Sequence, residues 1–376
     1  MKQDSSVSLG PWARGIQNVN DPAACPSGSV LEANNVLITS DGSIVPRAGY
    51  SLVSTGGHSL FTHAGRVFGI YNKRVCEFHD SGATVLSSFD IEGKVTWSLL
   101  NEEPVFTNHS ILARLTSDGV KKIGVELPVV PSLGTQELTE DSTAVAFVNF
   151  DGEEGPLSPV FVGNTIAPPS ENTVARMRIY KPRSDVLYMV KEITVSTTVP
   201  DIRTDLFGKP ADTLNKARMP GGDYVRYWRG RLLVARGRTL FFSDPMRYGM
   251  YDRSSGFVTF ESRIDFIEPV EGGVFVALRD SGVHFLAGEM PEKWERKIAD
   301  IIPAQAGSSL LVPTAQMKLE LQSKPEWVAV WLTHKGFALG LPSGNILYPQ
   351  ADLLSGLPLG TGSLSFEGDR LIALSQ

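Results

Sequence analysis

Cysteine is nearly absent. The 376 residues hold two, Cys25 and Cys76, and neither stands in a Cys-x-x-Cys pair, so no disulfide scaffold can be built. Both are expected to be unpaired small residues of a reducing compartment. Long basic runs are missing too, and the formal net charge is −6. Tight nucleic-acid binders carry a basic patch, so this balance argues against a DNA-binding module; it does not argue against a channel wall, which should repel phosphates rather than hold them. No stretch is apolar enough to span a membrane: residues 301–317, the most apolar of the long uncharged stretches, contain two prolines and a glycine. The opening MKQDSSVSLG has no apolar core, so no signal peptide is expected. Helical periodicity is scarce. Its best candidate, 291–298 (PEKWERKI), makes about two turns with Pro291 at the first helical position.

Signatures of catalysis are lacking as well. There is no Gly-x-Ser-x-Gly elbow and no Walker A loop. Among His58, His63, His79, His109, His284 and His334, no pair has the spacing of a helical zinc motif. His58 and His63 flank a strand start, where a surface or core role is expected. No metal, cofactor or catalytic residue is assigned.

What the chain has in quantity is turns and short strands. Glycine (36) and proline (24) punctuate runs of β-branched and aromatic residues, and the 42% hydrophobic content supports a sizeable core. Four hairpins resemble one another: 64–80, 229–245, 272–288 and 335–350. Each opens on a Gly-led turn, runs through an apolar strand, turns tightly and returns through a second apolar strand. The tight turns are Asn72-Lys73, Arg236-Gly237-Arg238, Asp280-Ser281-Gly282 and Ser343-Gly344-Asn345. Gly, Asn and Asp tolerate the positive φ that short hairpin loops need. Weaker copies occupy 103–126 and 363–376. A repeat of roughly 40 residues, worth about four short strands, is the signature of a propeller blade. The expectation is an all-β fold, a β-propeller of about six blades.

Residues 128–200 break that rhythm. After the Pro128-Val-Val-Pro131 entry come three alternating segments, 143–150, 173–180 and 186–193. They predict a β-sandwich of the immunoglobulin or fibronectin-III kind, inserted between blades. The expected organisation is therefore 1–127 as N-terminal blades, 128–200 as the insertion and 201–376 as the remaining blades. The acidic cluster Asp151-Gly-Glu-Glu154 precedes Gly155-Pro156 between two strand segments. A solvated hairpin turn accounts for it, whereas calcium would need further oxygen ligands and a glycosidase a second facing carboxylate. Trp12, Trp97, Trp228, Trp294, Trp327 and Trp331 could form a sugar platform, but most lie in strand patterns where burial is expected.

Several motifs recur in one order along the chain. Gly15-Ile-Gln-Asn18-Val19 is followed by 25–36 (CPSGSVLEANNV), which contains Asn35, and then by Asp41-Gly42-Ser-Ile-Val-Pro-Arg47-Ala-Gly49-Tyr50. Farther on stand Gly152-Glu153-Glu154-Gly155-Pro156-Leu-Ser-Pro159, Arg178-Ile-Tyr180, and the pair Arg229-Gly-Arg-Leu232 and Phe242-Ser-Asp-Pro245. The series ends with 282–288 (GVHFLAG) and Met290-Pro291. This order resembles a family of bacteriophage tail and virion structural proteins. Cys25 stands where the family has leucine, Ser29 where it has alanine, Lys181 and Arg229 where it has arginine and asparagine. Read on their own, Asp41-Gly42 is a hairpin turn, Pro46 starts or edges a strand, Gly49 permits a left-handed or bulged backbone, and Arg47 pairs with Glu32 or caps a carbonyl.

The resemblance implies a propeller with a fibronectin-like insertion in a short tail. Copies would form a ring, expected to be hexameric, below the portal and adaptor and near the fibres. That nozzle or hub would pass DNA in transit. The carried-over residues, Gly15, Asn18, Asn35, Asp41, Gly42, Arg47, Gly49 and Tyr50 with Gly152, Glu153, Glu154, Gly155 and Pro156, are implied to be structural. Two other readings stay open: a carbohydrate-binding or carbohydrate-cleaving propeller at the host surface, and a protein-binding scaffold propeller.

Overall fold

A computed structural model describes residues 14–19, 25–34, 36–39, 41–47, 49, 52, 55–131, 138–202, 206–316, 325–354, 356–357, 360–367 and 370–375. Asn35 and Tyr50 lie outside them. The described chain is all-β, with two single-turn 3-10 helices at Pro291–Lys293 and Thr314–Gln316. It divides into two compact units. One comprises Gly56–Glu261 with Met290–Glu292; the other comprises Met1–Thr55, Ser262–Glu289 and Lys293–Gln376.

Five four-stranded antiparallel sheets, each a simple meander, account for most of the strands. Sheet 1 holds His58–His63, Arg66–Tyr71, Arg74–His79 and Gly82–Val85. Sheet 2 holds Thr96–Leu100, Glu103–Asn108, Ile111–Thr116 and Gly119–Lys122. Sheet 3 holds Tyr224–Trp228, Arg231–Arg236, Thr239–Phe242 and Phe257–Thr259. Sheet 4 holds Ile264–Val270, Gly273–Leu278, Gly282–Ala287 and Glu295–Asp300. Sheet 5 holds Leu310–Pro313, Trp327–Thr333, Gly336–Gly340 and Ile346–Leu347. Three of the hairpins read from sequence, 64–80, 229–245 and 272–288, are inner pairs of their sheets, and the fourth, 335–350, joins the third strand of sheet 5 to its edge strand. Their turns have the required backbone: Asn72 and Lys73 at φ 48° and 62°, Gly237 at 59°, Gly282 at 74° and Gly344 at 87°. His58 and His63 are the two ends of one strand rather than the flanks of a strand start.

Burial explains why these sheets need neighbours. In sheet 4, Ile264–Val270 and Gly273–Leu278 are buried at every residue, so side chains on both faces are covered. In every four-stranded sheet the fourth strand is the most exposed. In the first unit, one core joins Phe68, Ile70 and Val75 of sheet 1 to Trp97, Phe106 and Leu115 of sheet 2. Another joins Leu100, Val105 and Leu112 of sheet 2 to Val225, Leu232 and Val234 of sheet 3. In the second unit, Phe266, Phe275 and Phe285 of sheet 4 pack on Ala329 and Trp331 of sheet 5. Val312, Val328 and Val330 of sheet 5 then meet Leu364, Phe366 and Leu371 of the hairpin Gly362–Glu367/Arg370–Ser375.

The segment 291–298 is not a helix. After one 3-10 turn its residues pair with Gly282–Ala287 as the edge strand Glu295–Asp300. Pairing overrides a weak helical propensity, and Glu295, Arg296 and Lys297 are the charges that keep an exposed edge from recruiting another strand.

Residues 144–194 form a three-stranded sheet, Ala144–Asn149, Val174–Arg183 and Val186–Thr194. Both of its lateral edges are covered: 153–161 bonds the first strand at Phe147, Val145 and Thr143, and 208–211 bonds the last at Met189 and Leu187. Below it a thin layer of isolated pairings runs through Val129, Asn164–Ala167 and Thr197–Val199, closing a core of Val145, Phe147, Phe161, Ile166, Met177 and Ile179.

Candidate functional site: an acidic hairpin and its arginine partners

The Gly-Glu-Glu-Gly-Pro motif tightens the end of the strand Ala144–Asn149. Asn149 makes the turn: its Oδ1 accepts from the Glu153 N–H at 2.8 Å, its own N–H donates to the Glu153 carbonyl at 3.0 Å, and Gly152 sits at φ 82°. Gly155 N–H then returns to the Phe147 carbonyl at 2.9 Å. The solvated turn expected from sequence is only half of the finding. Asp151 and Gly152 are exposed, but Glu153 and Glu154 are half-buried and Gly155 and Pro156 are buried. The cause is distant in the chain. A Cβ on Gly155 would stand 2.8 Å from the Cβ of Val125, so the motif is packed against residues that local sequence cannot reveal.

Glu154 is the hub. Its carboxylate accepts from the Arg178 guanidinium and from the Tyr180 hydroxyl. Two motifs separated in sequence, Glu-Glu-Gly-Pro and Arg-Ile-Tyr, are thus one interaction, because the antiparallel pairing of 144–149 with 174–183 brings them side by side. Arg178 Nε also donates to Glu192 at 2.8 Å, and Arg176 reaches the other Glu192 oxygen at 2.6 Å. Burial opposes the charge on Arg178, but its bonds to Glu192 and Glu154 outweigh it and hold the guanidinium firmly protonated. Burial, then the Glu154 carboxylate, pushes the Tyr180 phenol well up, so it remains a donor. Beside them Arg247 pairs with Asp212, and that bond holds the Asp212 carboxyl below its ordinary range. Glu153, Glu154, Arg178, Tyr180, Asp212 and Arg247 line an open cleft of about 540 Å³. Its carboxylates and guanidiniums are largely tied to one another, an arrangement suited to clamping chain segments. Among the described residues, no group of three or more His, Cys, Asp or Glu side chains is placed to hold a metal.

A second set of charges ties the neighbouring strands. Glu171 takes Lys122 at 3.0 Å and Arg218 at 2.9 Å, and these cations hold its carboxyl low despite burial. Lys216 lies between Asp244 and Asp252 at 2.9 and 3.2 Å.

The N-terminal motif residues belong to the other unit. Gly15–Ile16 pairs in parallel with Ser29–Val30, with Gly15 at φ 69°, and the Asn18 N–H donates to the Leu353 carbonyl at 2.9 Å. Asp41-Gly42 turns the hairpin Val36–Ile38/Ile44–Pro46, with Gly42 at φ 81°. Bonds from Thr39 and then Ser43 lower the Asp41 carboxyl. Pro46 ends its strand, Arg47 is exposed, and Glu32 accepts from Asn34 at 2.6 Å. Nothing described lies within 4 Å of where a Cβ would stand on Gly49. Of the tryptophans, Trp97, Trp228 and Trp331 are buried, Trp294 is half-buried, Trp327 is exposed and Trp12 lies outside the described residues.

Four serines gain a role that sequence reasoning passed over. Ser87, Ser158, Ser243 and Ser308 are buried, and each hydroxyl accepts a strand N–H that has lost its ladder partner, from Val75, Val145, Leu232 and Leu332, all at 3.0 Å. Ser-Pro in 158–159 and Ser-x-Pro in 243–245 were the visible signal.

No family model matches the chain, and no curated protein matches it. Among solved structures, the computationally designed Ika8 protein is 11% identical over 86% of this chain and 96% of its own, with a TM-score of 0.29. Saccharomyces cerevisiae Sqt1 is 8% identical over 74% and 82%, at 0.25, and Citrobacter koseri AztD 10% identical over 84% and 88%, at 0.29. Similarity at this level carries no argument about function.

Proposed function

We propose that this chain is a structural β-propeller of a bacteriophage tail, a nozzle or hub whose copies close into a ring around the path of ejected DNA. The four-stranded sheets and the C-terminal hairpin would be its blades, six in all, because each packs on its neighbour in series within its unit. The three-stranded sheet with its thin second layer would be the fibronectin-like insertion, 128–200, between 1–127 and 201–376.

The observation that carries the reading is the Glu154–Arg178–Tyr180 cluster. Residues shared with the tail-protein motifs serve the fold by binding one another, as expected of a scaffold rather than an enzyme. No cofactor is assigned. The partners are further copies of the chain in a hexameric ring, the adaptor or portal, and fibres, with DNA touched only in transit past a net-acidic subunit. No helix among the described residues is long and apolar enough to cross a membrane. The site of action is the virion tail.

The test is negative-stain electron microscopy of the purified chain, alone and mixed with tail extracts. Rings with a central pore, or density at the tail axis, are expected. Dispersed particles that never join tails would overturn the proposal.

A further inference from the structure

Glu153 has no place in the Glu154 cluster. Its carboxylate is aimed at the point where two glycine backbones meet. A Cβ on Gly249 would stand 2.2 Å from Glu153 Oε1 and 2.5 Å from the Gly124 Cα; a Cβ on Gly124 would stand 2.5 Å from the Gly249 carbonyl oxygen. Glycine at 249 leaves room for the carboxyl and glycine at 124 leaves room for the Gly249 backbone, and the seat fixes the 149–155 hairpin to residues that precede and follow the three-stranded sheet.

The carboxylate is poorly compensated there. Its side-chain partner is the neutral Asn149 amide, Nδ2 to Oε2 at 3.3 Å. The charges around it are committed elsewhere. Arg114, on the strand Ile111–Thr116, pairs with Glu103 and Asp151 at 3.5 and 3.2 Å. Arg218 and Lys122 hold Glu171, and Arg247 holds Asp212. Asp151, on the hairpin itself, repels a second negative charge. Burial raises the proton affinity of Glu153, and the pull of Arg114, the Asn149 bond and Arg218 does not cancel it.

We propose that the 149–155 hairpin is an acid-tightened latch, in which the neutral Glu153 carboxyl seats against Gly124 and Gly249 and its ionisation loosens the seat. The direction follows from linkage. The folded chain holds this proton more tightly than the unfolded chain, so the contribution is full below the ordinary carboxylate range and is lost as pH rises through the raised value.

Glu153→Gln in the full chain mimics the neutral form. Hydrogen–deuterium exchange at about pH 7 should be several-fold slower across 149–155 in this variant than in the parent, and equal at about pH 4. Glu154→Gln, which removes a paired charge, should exchange faster than the parent at about pH 7. Equal or faster exchange in Glu153→Gln at neutral pH would overturn the latch. The parent alone gives a second reading that needs no variant. Its protection of 149–155, corrected for intrinsic exchange, should be greater at about pH 5 than at about pH 8, and equal protection would also contradict the proposal.

Discussion

The four-stranded sheets and the three-stranded sheet solve one problem in two ways. Each has strands that must be covered on both faces. The four-stranded sheets use apolar side chains against the next sheet, as Phe275 does between Phe285 and Trp331, with ring centroids at 4.7 and 5.3 Å. The three-stranded sheet has a thinner second layer and binds its surroundings with charge, through Glu154, Arg178 and Glu192 on one side and Lys122, Glu171 and Arg218 on another. Stacked repeats make directional contacts unnecessary, because any meander of the right thickness covers its neighbour. A lone sheet has no such neighbour, and ion pairs with fixed geometry set how it is held.

The difference predicts how each part fails. The largest effect should come from Phe275→Ala, which opens a cavity between sheets 4 and 5. It should cost about 3–5 kcal/mol in chemical denaturation, with little dependence on salt. A strong salt dependence would break the contrast between the two parts. Ser243→Ala comes next. It leaves the buried Leu232 N–H without an acceptor and should cost about 1–3 kcal/mol in the same measurement, whereas an exposed serine such as Ser81 should tolerate alanine. The smallest effect belongs to the surface pairs. The Ser254 backbone N–H, then its hydroxyl and Lys216, hold Asp252 down at about 2. A depressed carboxyl contributes stability above its unfolded value that is lost as pH falls toward the folded one. Asp252→Asn should therefore lower Tm slightly at neutral pH, with the difference shrinking as pH falls toward 2 and gone only below it, as a series of thermal melts would show.

Much of the strand pattern was legible in the chain. The turns at Asn72-Lys73, Gly237, Gly282 and Gly344 announced themselves because positive φ selects few residues, and the strands beside them alternate around those turns. The edge strand Glu295–Asp300 was misread as helix because its charges guard an open edge, and guarding charges resemble a helix's polar face. The fourth strand of sheet 3, Phe257–Thr259, follows a 14-residue excursion over 243–256 that hides it. At the acidic hairpin the turn was readable from Asn149 and Gly152, and the burial was not. It depends on Gly124, Val125 and Gly249, which nothing near 149–156 announces. The bond of Glu154 to Arg178 and Tyr180 was present in the sequence only as two motifs in order, and pairing of the strands was needed to join them.

The central claim is that this chain is a subunit of a ring. Native mass spectrometry of the purified protein tests it most directly. The account predicts a closed oligomer with a mass near six times the 40.8 kDa of the chain. A single species at 40.8 kDa, unchanged at high concentration and in the presence of tail proteins, would contradict it.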